Sequence, residues 1–351
     1  MKFIKSTTFD YFDNFFDSET KIIAKENAIY NEPFKKISKN NFNNIDLSNK
    51  KILNLVSDDK KIFIKIFAPF SHAVIDSLGL FFYKYSKYPD STFIFDVTHP
   101  SKVGWHHTKN MVNFLKIFCN DNNIKYEIVD FYEIDFLIIN NDNSESDNSM
   151  LCNHINIENM FIFLYQYFKN NLEDFDTNKK VYVSRKKHDS VLSAGFEDLE
   201  EFQYISNKDR EKIKFLNDKR IDDETKLEQF FKSNGFEIVF PEDFTTFEDQ
   251  FKYFYNVKTL VAISGASLTN MIFMKPNKNV VEIMTEHTMF GLNYIKNELK
   301  HELFTELHFL YTDLAYLKEH AYFSVPNKNR SAEDIINYFS NNKYLSSLLV
   351  K

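Results

Sequence analysis

The stretch Lys258-Thr-Leu-Val-Ala-Ile263 runs straight into Ser264-Gly-Ala-Ser-Leu-Thr-Asn270, and this junction decides the fold. The first half is short, apolar and β-branched, the pattern of a buried strand. Small and hydroxyl residues then make a turn, after which Leu268, Met271, Ile272 and Met274 open a helical pattern. A helix entered through such a turn aims backbone N–H groups and a positive helix end at one point, where a phosphate can bind. Average usage of about 7% would give a chain of this length roughly 25 glycines, and it has 6. Gly265 is therefore expected to hold a backbone conformation that other residues avoid. A ligand-free strand-to-helix corner is the alternative, because the motif is looser than a Walker loop or a dinucleotide fingerprint.

Outward from this junction, apolar runs alternate with helical patterns. Lys61–Phe67 reads as a strand, Ser71 as the cap of a helix beginning at His72, and Ser91–Asp96 as the next strand. A helix over Lys109–Asn120 and strands over Lys125–Asp130 and Phe136–Ile139 follow, then a polar loop over Asn140–Ser149 and a helix over Met160–Phe168. After a linker at Asn170–Lys180, a second unit comprises strand Lys180–Ser184, helix Asp223–Asn234, strand Gly235–Phe240, helix Thr246–Tyr255, the opening junction and strand Asn279–Ile283. This alternation predicts α/β units with parallel sheets and ligands at the carboxyl ends of the strands. The expected boundaries are 1–170, 171–320, and terminal helices over 321–351, for which packing back on the first domain is one option.

Composition excludes several classes. With 351 residues, 43% hydrophobic and including 39 Phe and 19 Tyr, the chain has ample material for a packed core. A net charge of −7 with interleaved lysines and acids argues against a nucleic-acid-binding face. Two cysteines, Cys119 and Cys152, make neither a disulfide framework nor a zinc pattern. The N-terminus lacks the apolar core of a signal peptide, and no run reaches the roughly 20 apolar residues of a spanning helix; a cytoplasmic setting is the expectation. Oligomeric state is not legible.

An ordered set of elements carries a resemblance: Phe70-Ser-His72-Ala-Val-Ile-Asp76, Ser184-Arg185, Arg220-Ile-Asp-Asp-Glu224, Phe247-Glu-Asp-Gln250, the Ser264–Asn270 turn and Val281-Glu282. Together they resemble glycosyltransferase family 61. That resemblance implies a GT-B-like fold of two doubly wound Rossmann-like domains facing across a cleft, with inverting transfer of a sugar from a nucleotide-diphosphate donor, UDP-linked by preference, to a carbohydrate acceptor. It implies no cofactor and no obligatory metal. Ser264 stands where members often carry His, Asp223-Glu224 where Asn-Glu is usual, and 34 residues separate Arg185 from Arg220.

Each matched residue has a chemical use. A departing diphosphate needs stabilisation of growing negative charge, for which Arg185 and Arg220 offer bidentate guanidinium contacts; the bland reading for either is a surface ion pair. Ser264 and Gly265, with the backbone N–H groups of Ala266, Ser267 and Leu268, would complete the donor site. Glu282, read as the end of the last strand, would accept hydrogen bonds from ribose hydroxyls. His72 and Asp76 share a helix face four residues apart, Asp76 as first choice of general base for the acceptor hydroxyl and His72 as second; a capping or packing pair is the alternative.

Other features are set aside. His106-His107 are adjacent and make a poor chelate, Asp174-Phe-Asp176 lies in the linker, and the clusters Phe81-Phe-Tyr83 and Phe161–Phe168 read as core. A catalytically inactive nucleotide-sugar binder or scaffold is the rival function, favoured by Ser264. An oxidoreductase is disfavoured because no Gly-x-Gly-x-x-Gly occurs.

Overall fold

The computed structural model describes residues 28–30, 36–37, 52–56, 59–66, 70–97, 105–130, 136–140, 144–146, 154–172, 178–187, 221–285, 310–327, 329 and 331–350. It divides into two compact units, one formed by Phe9–Lys102 and Met111–Phe163 and the other chiefly by Leu164–Lys351. Both are mixed α/β with parallel sheets.

The N-terminal unit carries strands β1 (Ala28–Tyr30), β2 (Lys36–Ile37), β3 (Ile52–Val56), β4 (Lys61–Lys65), β5 (Thr92–Asp96), β6 (Tyr126–Val129), β7 (Phe136–Asn140) and β8 (Ser144–Ser146). An all-parallel sheet has the order β6-β5-β4-β8, with Lys61 opposite Thr92 and Lys65 opposite Asp96. Phe136–Asn140 does not extend this sheet, as the alternation of strands suggested. It joins a second, mixed sheet of order β2-β1-β7-β3, pairing parallel with β3 and antiparallel with β1. The polar segment read as a loop contains β8, a short edge strand held by β4. Ser144-Glu-Ser146 has no apolar signal of its own, so its conformation comes from the neighbour's backbone.

After β4 the chain forms a short α-turn, Phe70–His72, a π-helical stretch, Ala73–Leu78, and helix α1, Gly79–Lys87. Helices α2 (Trp105–Asp121) and α3 (His154–Phe168) complete the unit's described helices. Phe81 and Phe82 are sealed from solvent. Phe81 makes edge contacts with Phe93 at 5.1 Å and Phe95 at 5.4 Å, while Phe163 stacks on Phe82 at 5.2 Å. Each such ring contributes roughly 1.5–3 kcal/mol by burial, and the aromatic cluster serves as core.

The C-terminal unit is one parallel sheet of strands β9 (Lys180–Val183), β10 (Glu237–Val239), β11 (Thr259–Ile263), β12 (Asn279–Thr285) and β13 (Ala321–Asn327), ordered β10-β9-β11-β12-β13. Its helices are α4 (Glu224–Ser233), α5 (Phe247–Tyr255), α6 (Leu310–Leu317), α7 (Ala332–Asn341) and α8 (Lys343–Leu349). Starts are fixed by caps: Asp223 accepts from Lys226 N–H, Thr246 from Asp249 N–H and Ser331 from Asp334 N–H, each worth about 1 kcal/mol. Two expectations for the C-terminal segment change. Residues 321–327 form the edge strand β13 and not a helix; Pro326 is tolerated there because an edge residue has no second ladder to serve. Ile335, Phe339 and Leu345 of the terminal helices pack with Tyr182, Phe231, Val261 and Val281 in the core of this same unit; a return to the first domain was one option for them.

Candidate active site

Taken in chain order, the second sheet runs 2-1-3-4-5, so the winding reverses between β9 and β11. In doubly wound sheets the crevice at the carboxyl ends of such a pair is where ligands bind. Two elements singled out from sequence flank it. Val183 of β9 pairs with Ala262 of β11, and Arg185 and Ser264 each stand two residues beyond that pair. Arg185 is 6% exposed and Ser264 3%.

Gly265 has φ 145° and ψ −173°, a region open in practice only to glycine. This conformation turns the chain out of β11 into the 3₁₀-helix Ala266–Phe273. Because that helix bonds i to i+3, the N–H of Leu268 already donates to Gly265 O at 3.0 Å. The Leu268 side chain is buried and its N–H is engaged within the turn, while Ala266 and Ser267 are half-exposed. The turn is locked from behind: Gln250 Nε2 of α5 donates to Asn270 Oδ1 at 2.8 Å, and Asn270 Nδ2 to Ser267 O at 2.9 Å. The resembling elements Phe247–Gln250 and Ser264–Asn270 thus meet in a buried hydrogen bond.

Glu282 does not end its strand. Strand β12 continues to Thr285, and Glu282 is 1% exposed. Tyr322, the diagonal neighbour on β13, donates its hydroxyl to Glu282 Oε2. Oε1 is buried and, among the described residues, has no hydrogen-bond partner. A carboxylate oxygen in that position demands a donor. Tyr322 was invisible in the sequence because 321–327 carried no assigned strand.

Beside Arg185, Glu242 follows β10 in the 3₁₀ turn Pro241–Asp243; burial raises its pKa, and the Arg185 charge partly offsets this. Glu224 is the larger omission. Its Oε1 accepts from Arg185 N–H at 2.6 Å, Ser184 Oγ at 3.1 Å and Tyr182 OH at 3.3 Å. It sits within the quoted element 220–224, but spacing gave it no role. Arg220 lies outside the described residues, as do Cys152, Asp174, Asp176 and residues 197–218.

In the N-terminal unit the order β6-β5-β4-β8 is 3-2-1-4 within the parallel set, so its reversal lies at β4 and β8. The helical segment bearing His72 and Asp76 leaves the carboxyl end of β4, at that reversal. Asp76 is 5% exposed and stands in the π-helical stretch, whose i to i+5 bonding widens the turn and is frequent at functional sites. Four-residue spacing therefore no longer marks one α-helical face. The backbone of His72 is in the first α-turn, and its side chain lies outside the described residues. Among the described residues no cluster of His, Cys, Asp or Glu could hold a metal ion, and no helix is long and apolar enough to cross a membrane. Cys119 is buried, its thiol pushed up to about 12 by desolvation, which makes it unreactive.

A parallel α/β unit with a cationic residue and a glycine turn at its winding reversal is a frame on which doubly wound sheets bind ligands. Residues 70–281 match the model of the family Glycosyltransferase 61, and the chain belongs to that family. It is a glycosyltransferase enzyme acting on a sugar donor and an acceptor. No curated protein matches the chain. The matched span begins at the helix after β4 and closes one residue before Glu282, so it includes the β9 and β11 pair at the winding reversal of the second sheet.

Proposed function

We propose that this glycosyltransferase transfers a sugar from a nucleotide-diphosphate donor, UDP-linked by preference, to a carbohydrate acceptor by single displacement with inversion. The observation that supports the reading is the winding reversal between β9 and β11, with Arg185 just beyond one strand end and the Ser264-Gly265 turn just beyond the other. Arg185 would pair with the diphosphate, the N–H groups of Ala266 and Ser267 would add the helix-end field, and Arg220 would supply a second cation. Glu282 Oε1 would take a ribose hydroxyl, which gives the buried oxygen the donor it lacks. On this reading the two α/β units are the halves of a GT-B enzyme, the C-terminal one holding the donor and the N-terminal one the acceptor. Asp76, or His72 in its place, would remove the acceptor hydroxyl proton as the sugar carbon is attacked from the face opposite the phosphate. Protein cations and the helix end would replace a metal.

The test is a thermal-shift and affinity measurement with UDP. UDP is expected to raise the melting temperature by mass action, equally with and without a chelator. Arg185→Ala should weaken UDP binding by about 1.5–3 kcal/mol, the worth of a charge-assisted hydrogen bond. A shift abolished by the chelator would refute the metal-free site, and wild-type affinity in the variant would remove Arg185 from it.

A further inference from the structure

We propose that Glu224 is a positioning residue for Arg185, acting through the Arg185 backbone N–H. The proposal rests on the donor-site reading above. Arg185 immediately follows the last residues of β9, where the strand ladder stops holding the chain. Ser184 N–H still donates to Val239 O of β10 at 2.9 Å, and this is the ladder's last hold. The next amide, that of Arg185, donates to Glu224 Oε1 at 2.6 Å. Two more donors reach the same oxygen, Ser184 Oγ at 3.1 Å and Tyr182 OH at 3.3 Å. Glu224 is the first residue of α4, just after the Asp223 cap, so its carboxyl group lies at the positive end of the helix. The single Ser184 hydroxyl proton is shared between Glu224 Oε1 and Glu228 Oε1 one turn on, the latter nearer at 2.7 Å, and Lys186 N–H donates to Ser184 Oγ at 3.2 Å.

Helix α4 thus presents two carboxylates that pin residues 182–186 at the edge of the crevice. A charge-assisted hydrogen bond to a backbone N–H is short and directional, and it fixes where the Arg185 side chain departs from the chain. Preorganisation of this kind removes the cost of ordering a long cation when a diphosphate arrives. β9 and α4 are far apart in sequence, and Glu224 ties the end of one to the start of the other.

A double-mutant cycle separates positioning from general support. Glu224→Ala is expected to weaken UDP binding about 10-fold, with a small change in melting temperature because the Asp223 cap remains. In an Arg185→Ala background the same change should cost nothing further, since the group being positioned is gone. Glu224→Gln keeps an oxygen that accepts from the Arg185 N–H, so it should restore affinity to within about 3-fold of wild type. Hydrogen exchange of the peptide containing Arg185 should lose protection in Glu224→Ala and regain it in Glu224→Gln. Equal losses on UDP in both backgrounds, or wild-type affinity in Glu224→Ala, would overturn the positioning role. UDP affinity unchanged by Arg185→Ala would instead overturn the donor-site reading, and the positioning role with it. The two failures are told apart by which single variant leaves binding intact.

Discussion

Asp76 is buried on a widened helical turn next to the winding reversal of the first sheet, and a carboxylate there can be tested for base chemistry. Asp76→Asn keeps the size of the side chain and most of its hydrogen bonding but removes the proton acceptor. Sugar transfer is expected to fall by roughly 10²–10⁴-fold while UDP binding persists, and His72→Ala to show a smaller loss. Turnover untouched by Asp76→Asn and abolished by His72→Ala would exchange the two roles. Gly265 bears a different burden, one of shape. At φ 145° and ψ −173° a Cβ strains the backbone, so Gly265→Ala should lower stability by about 1–3 kcal/mol in urea unfolding. It should also weaken UDP binding, because the N–H groups of Ala266 and Ser267 would swing away. An Ala variant with wild-type stability would show that the turn tolerates a side chain and that the glycine has no conformational duty.

The elements are held at their ends as much as along their faces. Lys180, the first residue of β9, directs its ammonium at Asn234 O (2.9 Å), Leu348 O (3.1 Å), Val350 O (3.2 Å) and Leu349 O (3.4 Å). One cation thereby caps the carboxyl ends of α4 and α8, where carbonyl groups lack helical partners and the dipole is negative. Lys180→Met retains the apolar stem and loses the cap. The expected cost is about 1–2 kcal/mol, with faster proteolytic trimming behind α8; unchanged trimming would refute the anchoring role. The strand-to-helix corners were legible in the sequence because each is a local event. Asp223 and Thr246 open the helices read at those positions, and each cap forms within three residues of chain; Ser331 carried no reading of its own, and Ser71, read as a cap, lies inside the Phe70–His72 turn. Strand β13 and strand β8 were not legible. Ala321-Tyr-Phe-Ser-Val-Pro-Asn327 adjoins strong helical patterns and carries a proline, and Ser144-Glu-Ser146 is wholly polar; both become strands because a neighbouring edge offers unpaired backbone groups.

Across the molecule, pH enters through the opposite edge of the second sheet. There His320 Nδ1 accepts from Lys278 N–H at 3.2 Å, so Nε2 carries the proton and donates to Met271 O at 3.1 Å. Burial first, then the charges of Lys318 and Lys278, lower its pKa to about 4 from 6.5. A depressed folded value means that the neutral ring's stabilisation is complete above about pH 6.5 and is lost as pH falls towards 4. Melting temperature should drop over that window, and His320→Gln should flatten the slope; an equal slope in the variant would assign the transition to other groups. By itself the sequence determined most of the strand and helix alternation, the helix starts near Asp223 and Thr246, the glycine turn after β11 and the ordered elements that mark the family. Tertiary structure decided the strand order that makes β9 and β11 neighbours, the second sheet that captures β7, the seating of Glu282 against Tyr322 and the convergence of three donors on Glu224. The physical reason is range. Caps, turns and periodicity are settled by interactions within a few residues, whereas sheet order and register follow from which distant faces bury each other, and a pattern of local preferences does not specify that pairing.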